Sequence, residues 1–336
     1  MKIQKKITEI GTSKWRFTTS CLLIVKLVLI QLGCASSPAT PKLLLRDHQL
    51  VGKIWDVKQQ AFISKAILKN RSLESEYLLL GERHDNLVHH QHQTWFIQQL
   101  AKSPQQVSVA YEMIDNEQGL RLAKQKINSV EHLIKELNRS KSSWEYEQRY
   151  KSLFTETLAA GYKINSANLS SKQLMQIVMQ GEMNLPVAYK RMLNKTPLSA
   201  EQNKALLLEI NESHCNMLDA NATSKMALAQ RLRDSIMAHS LLKSRAPVKV
   251  LIAGMGHVRK DRGVPLYLQT NLYAQEKQAK ILSIGLLEVE LDKPDPLAYA
   301  ELWDGHILPF DIVLFTPQVE REDACAKLLK HFKPES

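Results

Sequence analysis

Six short apolar runs, alternating with stretches of helical spacing, limit what this chain can fold into more than any other feature. They are "EYLLL" (76–80), "VSVAYEM" (107–113), "YKINSAN" (162–168), "VKVLIAG" (248–254), "KILSIGLLEVE" (280–290) and "FDIVLFT" (310–316). Each reads as a strand, and residues 86–102, 117–137 and 145–160 carry helix-compatible spacing between them. Such alternation predicts an α/β fold with a mostly parallel sheet flanked by helices. A chain of 336 residues can bury the core this needs, as one large unit with an insertion or as two domains. The interval from about Ser170 to Ser244 breaks the alternation, because it reads as helical throughout. It holds Met175, Met179, Met183, Met192, Met217, Met226 and Met237, seven of the ten methionines. Two readings stay open: a lid over a bulky apolar ligand, or ordinary packing between helices.

In open parallel sheets, ligands bind beyond the carboxyl ends of the strands. "LLLGERH" places Gly81-x-x-His84 after one strand and "VLIAGMGH" places Gly254-x-x-His257 after another, each glycine allowing a tight exit. Glu112 and Asn168 end two more. In "MALAQRLRDSIMAHS", Met226, Gln230, Arg233 and Met237 share a helical face, and Asp234 beside it could orient Arg233 or a histidine. Taken singly, Glu82 or His84 could cap a helix, Glu112 could pair with a lysine, and His257 could be a satisfied core residue. Convergence of Glu82, His84, Glu112 and His257 from separate strands favours a site. His89, His90 and His92 lie in one helix, with His90 on a different face from the other two, so one or two line the site and the rest are solvated. The chain has no G-x-S-x-G, Walker loop, H-E-x-x-H or strand-linked G-x-G-x-x-G. Histidines and carboxylates without a nucleophile fit a metal or cofactor site, or acid–base activation of water.

The first 33 residues carry six of the basic residues and Glu9, which removes +5 from the formal charge of +11. The remaining +6 is scattered among acidic residues, which argues against nucleic acid as a partner. The apolar run from Cys21 to Leu32 is too short to span a bilayer and fits a removable secretory leader. "GCASS" after it suits lipidation of Cys34, anchoring the mature chain to a membrane without crossing it. Ala35 and Ser36 fit sorting to an outer membrane, facing the periplasm. The predicted division is a lipoprotein signal peptide over 1–33, a lipid-anchored tether over 34–45, an α/β body over 46–169 and 245–336, and a helical insertion over 170–244. Cys215 and Cys325 are then left either free or joined in a disulfide.

"GERHDNLVHHQHQ" (81–93) resembles the G-E-x-H-D-N-x-x-H-H-x-x-Q motif of the ChaN-like haem-binding lipoproteins, with Gln91 as an extra residue. "GKIWDV" (52–57), "YEMIDNEQ" (111–118), "WEYEQRYKSLFTETLAAGYKINSANL" (144–169), "SHCNM" and "LIAGMGHVRKDRGVPLYL" (251–268) extend the resemblance from about Val51 to Leu268. It implies haem binding for iron acquisition at the outer membrane, with an outer-membrane haem or iron receptor as partner and haem held between two protomers of a homodimer. It also implies a tyrosine ligand to iron: Tyr111, Tyr146, Tyr150, Tyr162 and Tyr189 are available, with Tyr146, Tyr150 and Tyr162 foremost. The wider superfamily includes erythromycin esterases and Tiki-type metal-dependent proteases. That likeness implies Glu82, His84, Glu112 and His257 as catalytic residues, with Arg233 and Asp234 assisting, and a divalent metal ion on His84, His257 and Glu112.

Overall fold

The structure is a computed structural model that describes residues 42–140, 143–303, 307–323 and 325–326. The expected signal peptide, Cys34 and most of the tether lie outside the described residues. Among the described residues ten strands form: β1 (Leu43–Leu44), β2 (Ile54–Asp56), β3 (Ala61–Phe62), β4 (Tyr77–Glu82), β5 (Val107–Asp115), β6 (Lys163–Asn168), β7 (Val248–Gly254), β8 (Ile281–Glu288), β9 (Ile312–Thr316) and β10 (Gln318–Val319). Eight build one sheet in the order β3-β2-β9-β8-β4-β7-β5-β6, and β1 pairs with β10. The stretch β9-β8-β4-β7-β5-β6 is parallel throughout, and its members are the six runs read from the sequence. At one edge, β2 pairs antiparallel with both β9 and β3.

Both faces of the parallel strands are covered, which is why their sequences are apolar without alternation. Leu78 and Leu80 of β4, Val250 and Ile252 of β7, and Ile284 and Leu286 of β8 enter one core. Against that face pack α2 (Leu87–Ala101), through Phe96, Ile97 and Leu100, and α5 (Lys151–Ala159), through Leu153 and Phe154. Leu79, Leu251 and Ala253 point the other way, where they meet α9 (Ala220–Lys243) and α11 (Val264–Tyr273). Each fully buried leucine stabilises the fold by roughly 1.5–3 kcal/mol, so the two layers supply most of the driving force. Helix α2 begins where Asn86 turns the chain: its side chain accepts from the Val88 amide at 2.9 Å and donates to Glu288 at 2.7 Å and to the Pro317 carbonyl at 3.1 Å. The cap of the helix is therefore also its anchor to β8.

Residues 117–137, expected as one helix, form two: α3 (Asn116–Leu122) and α4 (Val130–Leu137). The break follows from Ser129, which leaves the helical region and caps α4 through the His132 amide at 3.1 Å. Residues 146–150 wind as a π-turn before α5. The interval after β6 holds α6 (Ser171–Gln180), α7 (Val187–Asn194), α8 (Ala200–Ser213) and α9, with no strand. Reciprocal capping boxes start two of them, Ser170 with Gln173 and Ser199 with Gln202. The 24-residue α9 holds these helices to the sheet: Leu232 and Ala229 pack with Ile177 and Leu193, while Met237, Ala238 and Leu241 pack against the strands. Cys215 and Cys325 form a disulfide across 110 residues, closing the alternative the sequence left open.

Candidate functional site

The carboxyl ends of four neighbouring strands present polar side chains to one place. Glu82 ends β4, Gly254 ends β7 and Asn168 ends β6. Pairing between β5 and β6 shifts register between Tyr111 and Asp115, and Glu112 lies within the shift, a device common beside functional sites. The two glycines serve close approach rather than a tight exit from the strand. A Cβ on Gly81 would collide with Val258 of the short helix α10 (Met255–Val258), and one on Gly254 would stand 3.1 Å from His84 Nε2. Neither glycine has a positive φ.

Two carboxylate–imidazole pairs flank Glu112. Glu82 Oε1 accepts from His84 Nδ1 and from the Tyr150 hydroxyl, both at 2.8 Å, while His90 Nε2 lies 3.0 Å from Oε2. Asp234 accepts from His257 Nδ1 at 2.6 Å. Glu112 then binds the Arg233 guanidinium through Oε1 and the Gly254 amide through Oε2 at 2.7 Å, with His257 Nε2 at 3.5 Å and His84 Nε2 at 3.8 Å. Arg233 also donates to Asn168 and Gln230, each at 3.3 Å, and the Asn168 amide donates to the Glu112 carbonyl at 3.1 Å. His84 has its ring edge-on to Trp144 and remains about one-third exposed, so the network is open on that side.

Charge, more than burial, sets the protonation states. Desolvation would raise both glutamates, but His90 and His84 hold Glu82 below the ordinary carboxylate range, and His257, Arg233 and His84 hold Glu112 well below it. Burial would lower His257, yet Glu112 and Asp234 outweigh both burial and Arg233 and raise it to about 9. Against the same desolvation, Glu112 and Glu82 raise His84. Near neutral pH the Glu82 and Glu112 carboxylates thus sit in a buried lattice with Arg233 and a protonated His257, to which Asp234 is bonded.

The structure brings together Glu82, His84, Glu112, His257, Arg233 and Asp234, as the sequence suggested. The structure lends no support to the metal expected on His84, His257 and Glu112: Arg233 lies against the Glu112 oxygen that faces the two imidazoles. Among the described residues no three His, Cys, Asp or Glu are placed to hold a metal ion. Tyr146 and Tyr150, expected to bind a cofactor, are 1% and 0% exposed. Tyr146 donates to the Met113 carbonyl at 2.7 Å and Tyr150 to Glu82, so both hydroxyls are engaged in the interior. Tyr162 lies at the opposite, amino-terminal end of β6, in an open groove of about 1,060 Å³ that also takes Lys243 and Arg245. That groove is larger than the cleft described next but lies away from every converging residue. Of the three neighbouring histidines, His90 reaches the site and His89 is buried beside it, bonded to the Arg83 amide and to Thr316 at 2.8 Å each. The sequence reading missed Trp144 and Arg149, which donates to the His84 carbonyl at 3.2 Å; both fall in an aromatic and charged stretch whose π-turn has no sequence signal.

A cleft of about 450 Å³ opens from the network between α6, α8 and α9, within the roughly 300–1,000 Å³ usual for ligand pockets. Leu174, Val178, Leu206, Ile210 and Met226 form apolar walls, and Gln230, Arg233 and Asp234 border its inner end. The seven methionines of this region do not form one surface. Met226 lines the cleft, Met237 is in the core, and Met175, Met179 and Met183 are 60–85% exposed on the outside of α6 and the turn after it. The walls are thus apolar, and the polar lining mixes Arg233 and Arg262 with Asp234 and Glu209.

A family model described as haem-binding uptake, Tiki superfamily, ChaN, matches residues 68–268. The chain belongs to this family. Among solved structures, ChaN of Campylobacter jejuni, described for its cofacial haem binding, aligns with TM-score 0.62 and 23% identity over 79% of this chain and 96% of its own. A mutant erythromycin esterase EreC in its open conformation (TM-score 0.38, 12% identity, 84% and 86% covered) and the type III effector HopBA1 (0.39, 12%, 74% and 91%) are more distant. No curated protein sequence matches the chain. The ChaN alignment shows that the α/β arrangement is shared with a haem-binding protein of the same family.

Proposed function

We propose that this ChaN-family protein binds haem for uptake, in the cleft between α6, α8 and α9. The observation that carries the reading is the meeting of apolar walls with Arg233 at the carboxyl end of the sheet, in a chain of the haem-binding uptake family. Arg233 is held by Glu112, Asn168 and Gln230, so a cation is fixed in advance where a ligand carboxylate would arrive. Haem carries two propionates and a broad apolar face, and the cleft offers a partner for each.

The leader and Cys34 support a lipid-anchored protein, and we place it at the outer membrane facing the periplasm, beside a receptor that passes it haem. A disulfide between Cys215 and Cys325 supports an oxidising compartment. A homodimer is favoured by Met175, Met179, Met183 and Val187, a run of exposed apolar side chains next to the cleft. The test is a titration of the purified protein with haemin, followed at the Soret band. Saturable binding at micromolar or lower concentration supports the reading, and a linear response without saturation refutes it.

The paired imidazoles around Glu112 favour a second reading as an acid–base hydrolase acting on esters or peptides. His257, raised to about 9, is protonated at neutral pH and could donate a proton but not accept one. Such activity would therefore hold through neutral pH, fall as pH rises through about 9, and vanish in His257→Ala. A flat, wild-type-independent rate across an ester and peptide panel rejects it.

A further inference from the structure

We infer that the amino-terminal half of β6 is a docking edge for an extended acidic segment of a partner protein, which joins the sheet there as an added strand. The inference stands apart from the haem reading, because it concerns the groove of about 1,060 Å³ at the opposite end of the sheet. Among the described residues β6 is the last strand in the sheet order, paired with β5 alone, so its outer side is an open edge. Toward the carboxyl end that edge is closed. The Ser240 hydroxyl donates to the Ser166 carbonyl at 2.6 Å, and α3 comes so near that a Cβ on Gly119 would collide with the Ser166 side chain. Lys163, Ile164 and Asn165 lack such cover: all three line the groove, and among the described residues their backbone pairs with β5 alone.

The lining of the groove sets the chemistry of its occupant. Leu122, Leu133, Leu158 and Ile164 give it apolar surface, which suits the alternate side chains of an extended segment. Its charged lining is Lys163, Lys243 and Arg245, all exposed and none in an ion pair among the described residues, while no Asp or Glu lines it. Glu136 accepts from Gln125 of the lining, but it is buried and already paired with Arg139 at 3.2 Å. The hydroxyl of Tyr162, also of the lining, is buried and has no hydrogen-bond partner among the described residues. A carboxylate or a backbone carbonyl would supply the missing acceptor.

A second copy of this chain is a poor occupant. Pairing the same edge about a two-fold axis would bring Lys163, Lys243 and Arg245 toward their own counterparts, and like charges set opposite one another destabilise a strand pair. An acidic segment reverses the balance: its carboxylates meet cations that have no ion pair, and its backbone supplies the N–H and C=O groups that the open edge lacks. Lysine on an edge also discourages pairing with neutral or basic strands, so the side chain that protects the edge selects what joins it.

The test selects binders from a random nonapeptide library on the immobilised wild-type protein. Fluorescence anisotropy then measures each selected peptide against the wild-type protein and the double variant Lys243→Glu with Arg245→Glu. Both side chains are exposed, so the variant should keep the wild-type urea midpoint, which separates loss of binding from loss of folding. The expected result is enrichment of peptides rich in Asp and Glu, a loss of about ten-fold or more in the double variant, and weaker binding in about 0.5 M salt. Hydrogen exchange of the amides at 163–165 should slow in the complex, and methylating alternate backbone amides of the best peptide should weaken it, because an added strand needs its N–H groups. Selected peptides without acidic bias, affinity indifferent to the charge reversal, or no enrichment at all overturns the inference. Equal competition by inorganic polyphosphate, with no penalty for methylation, would replace strand pairing by simple anion binding and overturn it as well. A dimer of the wild-type protein that the double variant dissolves would assign the edge to a second copy instead.

Discussion

Replacing Glu112 with glutamine tests the charge lattice at the strand ends. Glu112 is 2% exposed and holds Arg233, the Gly254 amide and the two nearby imidazoles. In the wild-type protein His257 is raised from 6.5 to about 9, with Glu112 the largest cause in that direction. A group raised on folding adds stability that is complete below its unfolded value, here pH 6.5, and that disappears as pH climbs through the folded value. At 1.36 kcal/mol per pH unit, this interval corresponds to about 3 kcal/mol for His257, and His84 is raised in the same sense. Urea unfolding of the wild-type protein, followed by tryptophan fluorescence, should therefore show a fall of about 3 kcal/mol or more between pH 6 and pH 9.5. In Glu112→Gln the fall should shrink to less than about half, because only Asp234 remains to hold the His257 proton, and stability at pH 6 should itself drop by about 3–5 kcal/mol as Arg233 loses its carboxylate. A wild-type stability that is level or rises across this window would refute the reasoning, as would a variant that keeps the full wild-type slope.

Three further outcomes follow from particular contacts. Tyr150→Phe removes a hydroxyl bonded to ionised Glu82 and should cost about 1.5–3 kcal/mol in urea unfolding, while leaving haemin affinity unchanged because the ring faces the core. Cys325→Ser opens a 110-residue loop and should lower stability by up to about 4–5 kcal/mol, with a matching drop when the wild-type protein is reduced. Gly81→Ala forces a methyl group into Val258 and should cost about 1–3 kcal/mol, seen as a lower urea midpoint at unchanged slope.

The parallel sheet was legible because its inner strands are buried on both faces, so that stretches such as "YLLLGE" and "VKVLIAG" are apolar at nearly every position. The site was legible for a related reason: Glu82, Glu112 and His257 are buried polar residues directly attached to those runs, and a topology rule says where strand ends meet. Elements held by side chains distant in sequence left no such trace. Strands β2 and β3 are three and two residues long and owe their place to pairing with β9 and to the packing of Trp55 on Phe62. Arg233 was found, but its bond to Glu112, 121 residues away, was not. Tyrosines 146 and 150 looked available because tyrosine can bind iron; burial decides, and burial depends on the fold.

The central claim is that haem occupies the cleft between α6, α8 and α9. Crystals of the haemin-loaded protein, measured at the iron absorption edge, locate the metal without reference to any other feature. The account predicts an anomalous peak inside the cleft bordered by Leu174, Ile210 and Met226. An iron peak in the groove lined by Tyr162, Lys243 and Arg245, or elsewhere on the surface, would contradict it.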